Sequence, residues 1–332
     1  MNTTKATMIA PIFLLGSHKS GSSLLRSLFD GHRDLFAIPT EIHYFQYTGH
    51  WVDYKLRRSW PKQMNRSELI QSLTQLVEEK NTFNEDSRYA DSILAGKLDV
   101  SRFKNCLENS YFETRRELFE AYVAALHSAL TGKPLPEGIR IVEKSVENAE
   151  CAVQLRQMFP DCYFVHIVRN PYASLVAIRK SKAKGNYPVL RDLLLSLHNS
   201  YYNLYRNETV LDRYLTIRYE DLLTSTESIV QKIADFIGIE FTDILLKPTL
   251  MGEPWGGNST SGNSFNNISS APLESWKSQI TDLEIRLVNN LLEPVIERFG
   301  YERMTPTKPK LFPTQGENFK TYIQNRSLLW LS

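Results

Sequence analysis

The stretch "APIFLLGSHKSGSSLLRSLFDG", residues 10–31, decides the fold. An apolar run, a glycine-bounded serine-rich turn and an amphipathic run follow one another, the order in which a parallel strand hands the chain to a helix N-terminus at the edge of a sheet. Its centre, "GSHKSGSS" (16–23), nearly spells the phosphate loop G-x-x-x-x-G-K-[ST]. Ser22 and Ser23 stand where that loop has its lysine and hydroxyl residue, and the lysine, Lys19, comes two residues before Gly21. Gly21 permits close backbone approach, the first helical N–H groups point at one spot, and Ser20, Ser22 and Ser23 add hydroxyl donors beside the Lys19 cation. By itself the octapeptide fits an anion site and a plain serine-rich turn equally well, so the rest of the chain has to decide.

Three further apolar runs, "IRIVEK" (139–144), "CYFVHIV" (162–168) and "YLTIRY" (214–219), read with 10–15 as buried parallel strands. Helical patterns fall between and after them at 22–30, 114–130, 148–158, 172–182, 190–205 and 224–237. The alternation implies an α/β fold, a doubly wound parallel sheet with helices on both faces, in a single domain over 1–304. Residues 45–110, rich in Trp, Tyr, Arg and Lys, break the rhythm and read as a largely helical insertion, a lid at about 45–135 over the mouth of the sheet. The Pro-spaced polar stretch after Met304 makes 305–332 a peripheral tail.

A net charge of +2 over 332 residues argues against a nucleic-acid binder, so any basic function is local. Cys106, Cys151 and Cys162 are scattered and odd in number, which speaks against a disulfide framework or zinc site and suits a cytoplasmic, reducing compartment. The short apolar opening leads directly into the glycine loop and suits a first strand better than an export signal or membrane anchor. A nucleoside triphosphatase of this architecture ends a neighbouring strand with a magnesium-holding acid. Here "CYFVHIV" ends in Arg169-Asn170-Pro171, a cation suited to a second anionic group of one ligand.

These motifs resemble the sulfotransferases that use 3′-phosphoadenosine 5′-phosphosulfate. "GSHKSGSSLLRSLFDGHRDL" is similar to the 5′-phosphosulfate loop, "FVHIVRNPYAS" to the 3′-phosphate element, "TIRYEDL" to the strand whose tyrosine lies near adenine, and "VEKSVEN" to the E-K-[TS]-P-x-N element. "PWGGNSTSGNSFNNIS" followed by "ESWK" looks like the late segment that folds over the cofactor. The nearest branch is the protein-tyrosine and carbohydrate one. The resemblance implies that Lys19 stabilises the leaving phosphate and that His18, Ser20, Gly21, Ser22 and Ser23 hold it. It further implies that Lys144 lies near the transferred sulfuryl group, that Arg169 binds the 3′-phosphate and that Tyr219 contacts adenine, with no metal required. Ser259, Ser264, Trp276 and Lys277 are the candidates in the late segment. The family's serine eight residues after the arginine is Ala177 here, so either Ser174 or Ser181 replaces it or the contact is missing, and its proline after Lys-Ser is Val146.

The acceptor must lose a proton, and "GHRDLFAIPTEIHYF" (31–45) carries Glu41 and His43 past the same mouth. Strand-like alternation places both on one face. The branch resemblance favours Glu41 as the base, with His43 the alternative and His50 and His198 behind them. Trp51, Tyr54, Lys55, Arg57, Arg58, Trp60 and Lys62 combine stacking surfaces with cations and would suit a hydroxyl acceptor that is an acidic sugar or an acidic peptide. The competing readings are a metal-dependent kinase or nucleoside triphosphatase with a degenerate loop, and a non-catalytic nucleotide-binding module.

Overall fold

In the computed structural model, residues 8–53, 58–82, 94–183, 186–257, 273–307 and 313–330 are described. The principal elements are β1 (Ile12–Gly16), α1 (Ser22–Ser27), β2 (Leu35–Ala37), α2 (Tyr44–Tyr47), β3 (His50–Asp53), β4 (Arg58–Pro61), α3 (Arg66–Asn81), α4 (Val100–Asn109) and α5 (Arg115–Thr131). They continue with β5 (Arg140–Glu143), a 3-10 turn at Val146–Ala149, α6 (Ala152–Met158), β6 (Tyr163–Val168), α7 (Pro171–Lys182), α8 (Leu190–Val210), β7 (Tyr214–Arg218), α9 (Tyr219–Thr224), α10 (Thr226–Ile237), α11 (Asp282–Leu291), α12 (Glu293–Arg298) and α13 (Phe319–Ser327).

Five strands form a parallel sheet in the order β2-β5-β1-β6-β7. Side chains of β1 alternate between its faces. Phe13 and Leu15 enter a core with Ile141, Phe164, Leu73, Phe103, Phe119 and Tyr122, whereas Ile12 and Leu14 meet Leu25, Phe29, Val142, Val165 and Ile233 on the other side. A third core joins α7, α8, α11 and α12 through Leu175, Leu197, Val288 and Ile296. Because β5, β1, β6 and β7 are parallel and in close register, Lys144, the Gly16 loop, Arg169 and Tyr219 all leave the sheet at one edge, where open α/β sheets bind ligands.

The structure departs from the sequence expectations in several places. The strand β2 extends the sheet but ends at Ala37, so Glu41 and His43 lie beyond it and their placement does not come from strand alternation. The insertion contains the antiparallel hairpin β3–β4 as well as helices. Its helices α3, α4 and α5 share the Phe13 core, so that part is welded to the sheet by aromatic and aliphatic packing. The helix expected over 224–237 is α10, a further helix, α9, precedes it directly after β7, and α8 runs on to Val210. The tail carries α13, whose Asn325 is completely buried, donating to Pro188 O and accepting from Leu190 N. Among the described residues, no helix is long and apolar enough to cross a membrane.

Candidate active site

Gly21 caps α1 with φ +100° and no side chain hydrogen-bonds to the cap, so the first turn of the helix opens onto the loop. A Cβ on Gly21 would lie 2.3 Å from Tyr219 Cδ2; the missing side chain lets the tyrosine ring lie against the loop backbone. Arg169 donates to Lys19 O at 2.8 Å, and its guanidinium lies 4.6 Å from the Tyr219 ring centre. Three motifs separated by up to 200 residues of sequence thus meet here: the loop, the end of β6 and the end of β7. Ser20 Oγ and Arg169 Nε are buried with no hydrogen-bond partner among the described residues. Buried polar atoms in that condition are costly, and two of them at one loop mark where a ligand would bind.

Charge points the same way. Burial pushes the Lys19 ammonium down from its ordinary range, Lys144, Lys182 and Arg169 push it further, and Glu41 opposes them. Cations crowded around one loop favour an anion, which would relieve their mutual repulsion. Lys182, at the end of α7, is a member of this group that the sequence reading did not assign; a basic last turn of a helix starting at the phosphate element was its only signal.

The segment 40–43 is pinned from three sides. Lys80 Nζ of α3 donates to Thr40 Oγ1 at 2.9 Å, Tyr122 OH of α5 donates to Ile42 O at 3.1 Å, and His43 N donates to Ser145 Oγ at 3.1 Å. His43 adopts the left-handed backbone region, φ 44° and ψ 39°, and this kink brings its ring to Glu41, with Nε2 3.6 Å from Glu41 Oε2. Glu41 also forms an ion pair with Lys144. Burial pushes the Glu41 carboxyl up, but Lys144, His43 and His18 outweigh it and hold it well below the usual carboxylate range.

Behind His43 lies a group the sequence reading missed. Glu147, completely buried in the 3-10 turn, places both carboxylate oxygens at 3.1 and 3.2 Å from His43 Nδ1. Glu143 accepts from Ser145 Oγ at 2.6 Å and from Asn148 Nδ2, which fixes the 143–148 turn. Burial pushes the Glu143 carboxyl up to about 7 against those two hydrogen bonds. Two glutamates four residues apart, just after a buried strand, were the available signal.

The other predicted residues divide between the loop and the rest of the fold. Ser22 is buried in the first turn of α1, while His18 and Ser23 are half-buried. Ser174 is wholly buried, near Tyr201, and Ser181 Oγ donates to Ile178 O within its own helix. Trp276 stacks on Tyr172 and donates its only N–H to Leu273 O at 2.7 Å, so it is part of the core and has no polar group left for a ligand. Lys277 forms an exposed ion pair with Glu274. His50 accepts from Arg115, and burial together with that guanidinium pushes its imidazole down to about 4. His198 is exposed on α8 and Lys62 is exposed beyond β4. Ser259, Ser264, Tyr54, Lys55, Arg57 and the side chains of Trp51, Arg58 and Trp60 lie outside the described residues.

Over 174 residues the chain is 26% identical to the omega-hydroxy-beta-dihydromenaquinone-9 sulfotransferase Stf3 of Mycobacterium bovis and of Mycobacterium tuberculosis. That match takes in 49% of this chain and spans 41% of the length of the curated relatives. The sulfotransferase domain from the curacin biosynthetic pathway superposes with a TM-score of 0.54 at 19% identity, over 90% of this chain and 99% of that one, which shows a shared fold. Residues 11–243 match the profile of the Sulfotransferase family, a span that contains the loop, Glu41, the Lys144 turn, Arg169 and Tyr219. On the strength of that match, which runs through most of its length, the chain belongs to the sulfotransferase family.

Proposed function

We propose that the protein transfers a sulfuryl group from 3′-phosphoadenosine 5′-phosphosulfate to a hydroxyl acceptor. The observation that carries this reading is that Arg169 meets the loop through the Lys19 carbonyl and the Tyr219 ring, where Ser20 Oγ and Arg169 Nε are buried with no hydrogen-bond partner among the described residues, and that Lys144 and Lys182 add positive charge there. When bound, the donor supplies an SO3 group on a phosphate leaving group, on which negative charge grows as the S–O bond breaks. Ser22, Ser23 and the loop N–H groups would hold the 5′-phosphate, Lys19 would meet the growing charge, and Arg169 would pair with the 3′-phosphate. Tyr219, packed on Gly21 and under Arg169, would provide the flat surface beside adenine. Lys144 would turn from Glu41 towards the sulfuryl oxygens, and the acceptor's proton would go to the Glu41–His43 pair.

A hydroxyl acceptor accords with the mycobacterial relatives, whose name gives an omega-hydroxy compound as substrate. The test has two parts. Calorimetric titration should show binding of 3′-phosphoadenosine 5′-phosphate and much weaker binding of ATP–magnesium. Incubation with radiolabelled donor and a panel of sugar, tyrosyl-peptide and lipid alcohols should then give a labelled sulfate ester. Preference for ATP–magnesium would overturn the proposal.

A further inference from the structure

We infer that His43 Nε2 is the atom that takes the acceptor's proton and that Glu147 is the positioning residue that fits it for the task. The inference rests on the sulfuryl-transfer reading and adds to it a division of labour among the acids and bases of the site.

The geometry is that of a carboxylate-oriented imidazole. Both oxygens of buried Glu147 face Nδ1 at 3.1 and 3.2 Å, so Nδ1 carries the ring proton and Nε2 presents its lone pair. The ring cannot readily turn away. His43 is held in the left-handed backbone region, and its N–H is tied to Ser145, which is tied in turn to Glu143. Side-chain ordering of this kind in a strained backbone position accompanies function more often than packing alone.

Glu41 is poorly suited to the same task. It is paired with Lys144, and its neighbours hold its carboxyl in the anionic form, which makes it a weak proton acceptor. With Oε2 at 3.6 Å from Nε2, it is well placed to stabilise the imidazolium once that forms. Among the described residues, the charged and titratable groups around His43 include Glu41 from its own segment, Lys144, Lys19 and His18 through Glu41, Glu147 and Glu143 from the 143–148 turn, and Tyr122 of α5, whose hydroxyl is raised by burial and by Glu143 and Glu147.

The step balances. The acceptor oxygen forms a bond to sulfur, the S–O bond to the 5′-phosphate breaks with its electron pair going to the phosphate oxygen, and the acceptor's proton moves to Nε2. Glu147 holds the imidazolium by its Nδ1 proton.

The experiment combines nuclear magnetic resonance of the histidine ring nitrogens with single-turnover pH–rate profiles. His43→Asn identifies the His43 signals by their loss, and wild type should show the proton on Nδ1. Glu147→Gln should lower the single-turnover rate on the order of 10²–10⁴-fold with binding of 3′-phosphoadenosine 5′-phosphate retained. Loss of the Glu147 charge should also move the acid limb of the profile to lower pH. Glu147→Asp, which keeps the charge, should recover part of the rate and leave the limb in place. The limb should vanish in His43→Asn and persist in Glu41→Gln. A wild-type ring protonated on Nε2, an acid limb unmoved in Glu147→Gln, or equal rates for the Gln and Asp variants would overturn this inference alone. Wild-type protein that neither binds 3′-phosphoadenosine 5′-phosphate nor transfers sulfate would overturn the sulfuryl-transfer reading beneath it.

Discussion

Gly21→Ala tests whether the loop and the end of β7 are fitted to one another as described. At φ +100° an alanine costs about 1–2 kcal/mol, because its Cβ crowds its own backbone. The same Cβ would lie 2.3 Å from Tyr219 Cδ2 and 2.6 Å from Cε2, distances that force the ring to move. Overpacking of that kind costs roughly 1–3 kcal/mol, so the two effects together amount to about 2–5 kcal/mol. The steric share belongs to the pair and the backbone share to position 21 alone, and the two can be separated. Urea unfolding of wild type, Gly21→Ala, Tyr219→Ala and the double variant should give a coupling of about 1–3 kcal/mol, with Gly21→Ala costing only its backbone share once the ring is gone. Affinity for 3′-phosphoadenosine 5′-phosphate should fall in Gly21→Ala, since displacing Tyr219 also disturbs the Arg169 that lies 4.6 Å over its ring. An equal cost of Gly21→Ala in the wild-type and Tyr219→Ala backgrounds would refute the packing argument.

Three further outcomes are expected. Lys19→Ala should leave a folded protein whose transfer rate is lower by roughly two to three orders of magnitude, the scale for one strong oxyanion donor, read by labelled-sulfate transfer; near-normal turnover would remove Lys19 from the mechanism. Arg169→Ala should weaken 3′-phosphoadenosine 5′-phosphate by about 2–3 kcal/mol and adenosine 5′-phosphate by less, because the arginine is assigned both the 3′-phosphate and, at 2.8 Å, the Lys19 carbonyl; equal losses in calorimetry would leave it only the second task. Glu143, raised from 4.5 to about 7, binds its proton more tightly in the folded than in the unfolded chain, so its share of stability is full below pH 4.5 and is lost as pH rises towards 7. Glu143→Gln should flatten that decline, on the order of 3 kcal/mol, when urea midpoints at pH 5 and pH 7.5 are compared with wild type; an unchanged slope would show that Glu143 is ionised in the fold.

The sheet was legible because strands buried on both faces are written as continuous apolar runs, and because a parallel arrangement forces the residues that follow them to one edge. Lys19, Lys144, Arg169 and Tyr219, named from the family resemblance of the motifs that hold them, stand at that edge. The approach of Glu41 to His43 was also anticipated, although a left-handed kink, not strand alternation, produces it. Backbone reversals at a non-glycine residue leave little trace in a residue pattern. Glu147 was missed because a glutamate in a polar-looking turn reads as solvated, and its complete burial depends on α5 and on the 40–43 segment, both far away in sequence. Trp276 was named because an aromatic beside a glycine- and serine-rich stretch resembles a ligand contact; that Tyr172 provides it with a stacking partner in the core is a tertiary fact the pattern does not carry.

The long helix α8 begins at Leu190 with Val189 before it, a residue that has no side-chain acceptor to offer the first turn. The acceptor comes from Asn325, which receives the Leu190 N–H at 2.7 Å from 135 residues further along the chain. During synthesis at about 5–20 residues per second, α8 must therefore wait on the order of ten seconds before its start can be capped. Until then Leu190 depends on water or a neighbouring turn for that hydrogen bond, and the helix that carries Tyr201 against the Arg169 carbonyl is not yet fastened at its origin. A nascent chain can thus assemble β1, β5 and β6 while the helix beside the Arg169 carbonyl still lacks the cap that Asn325 supplies.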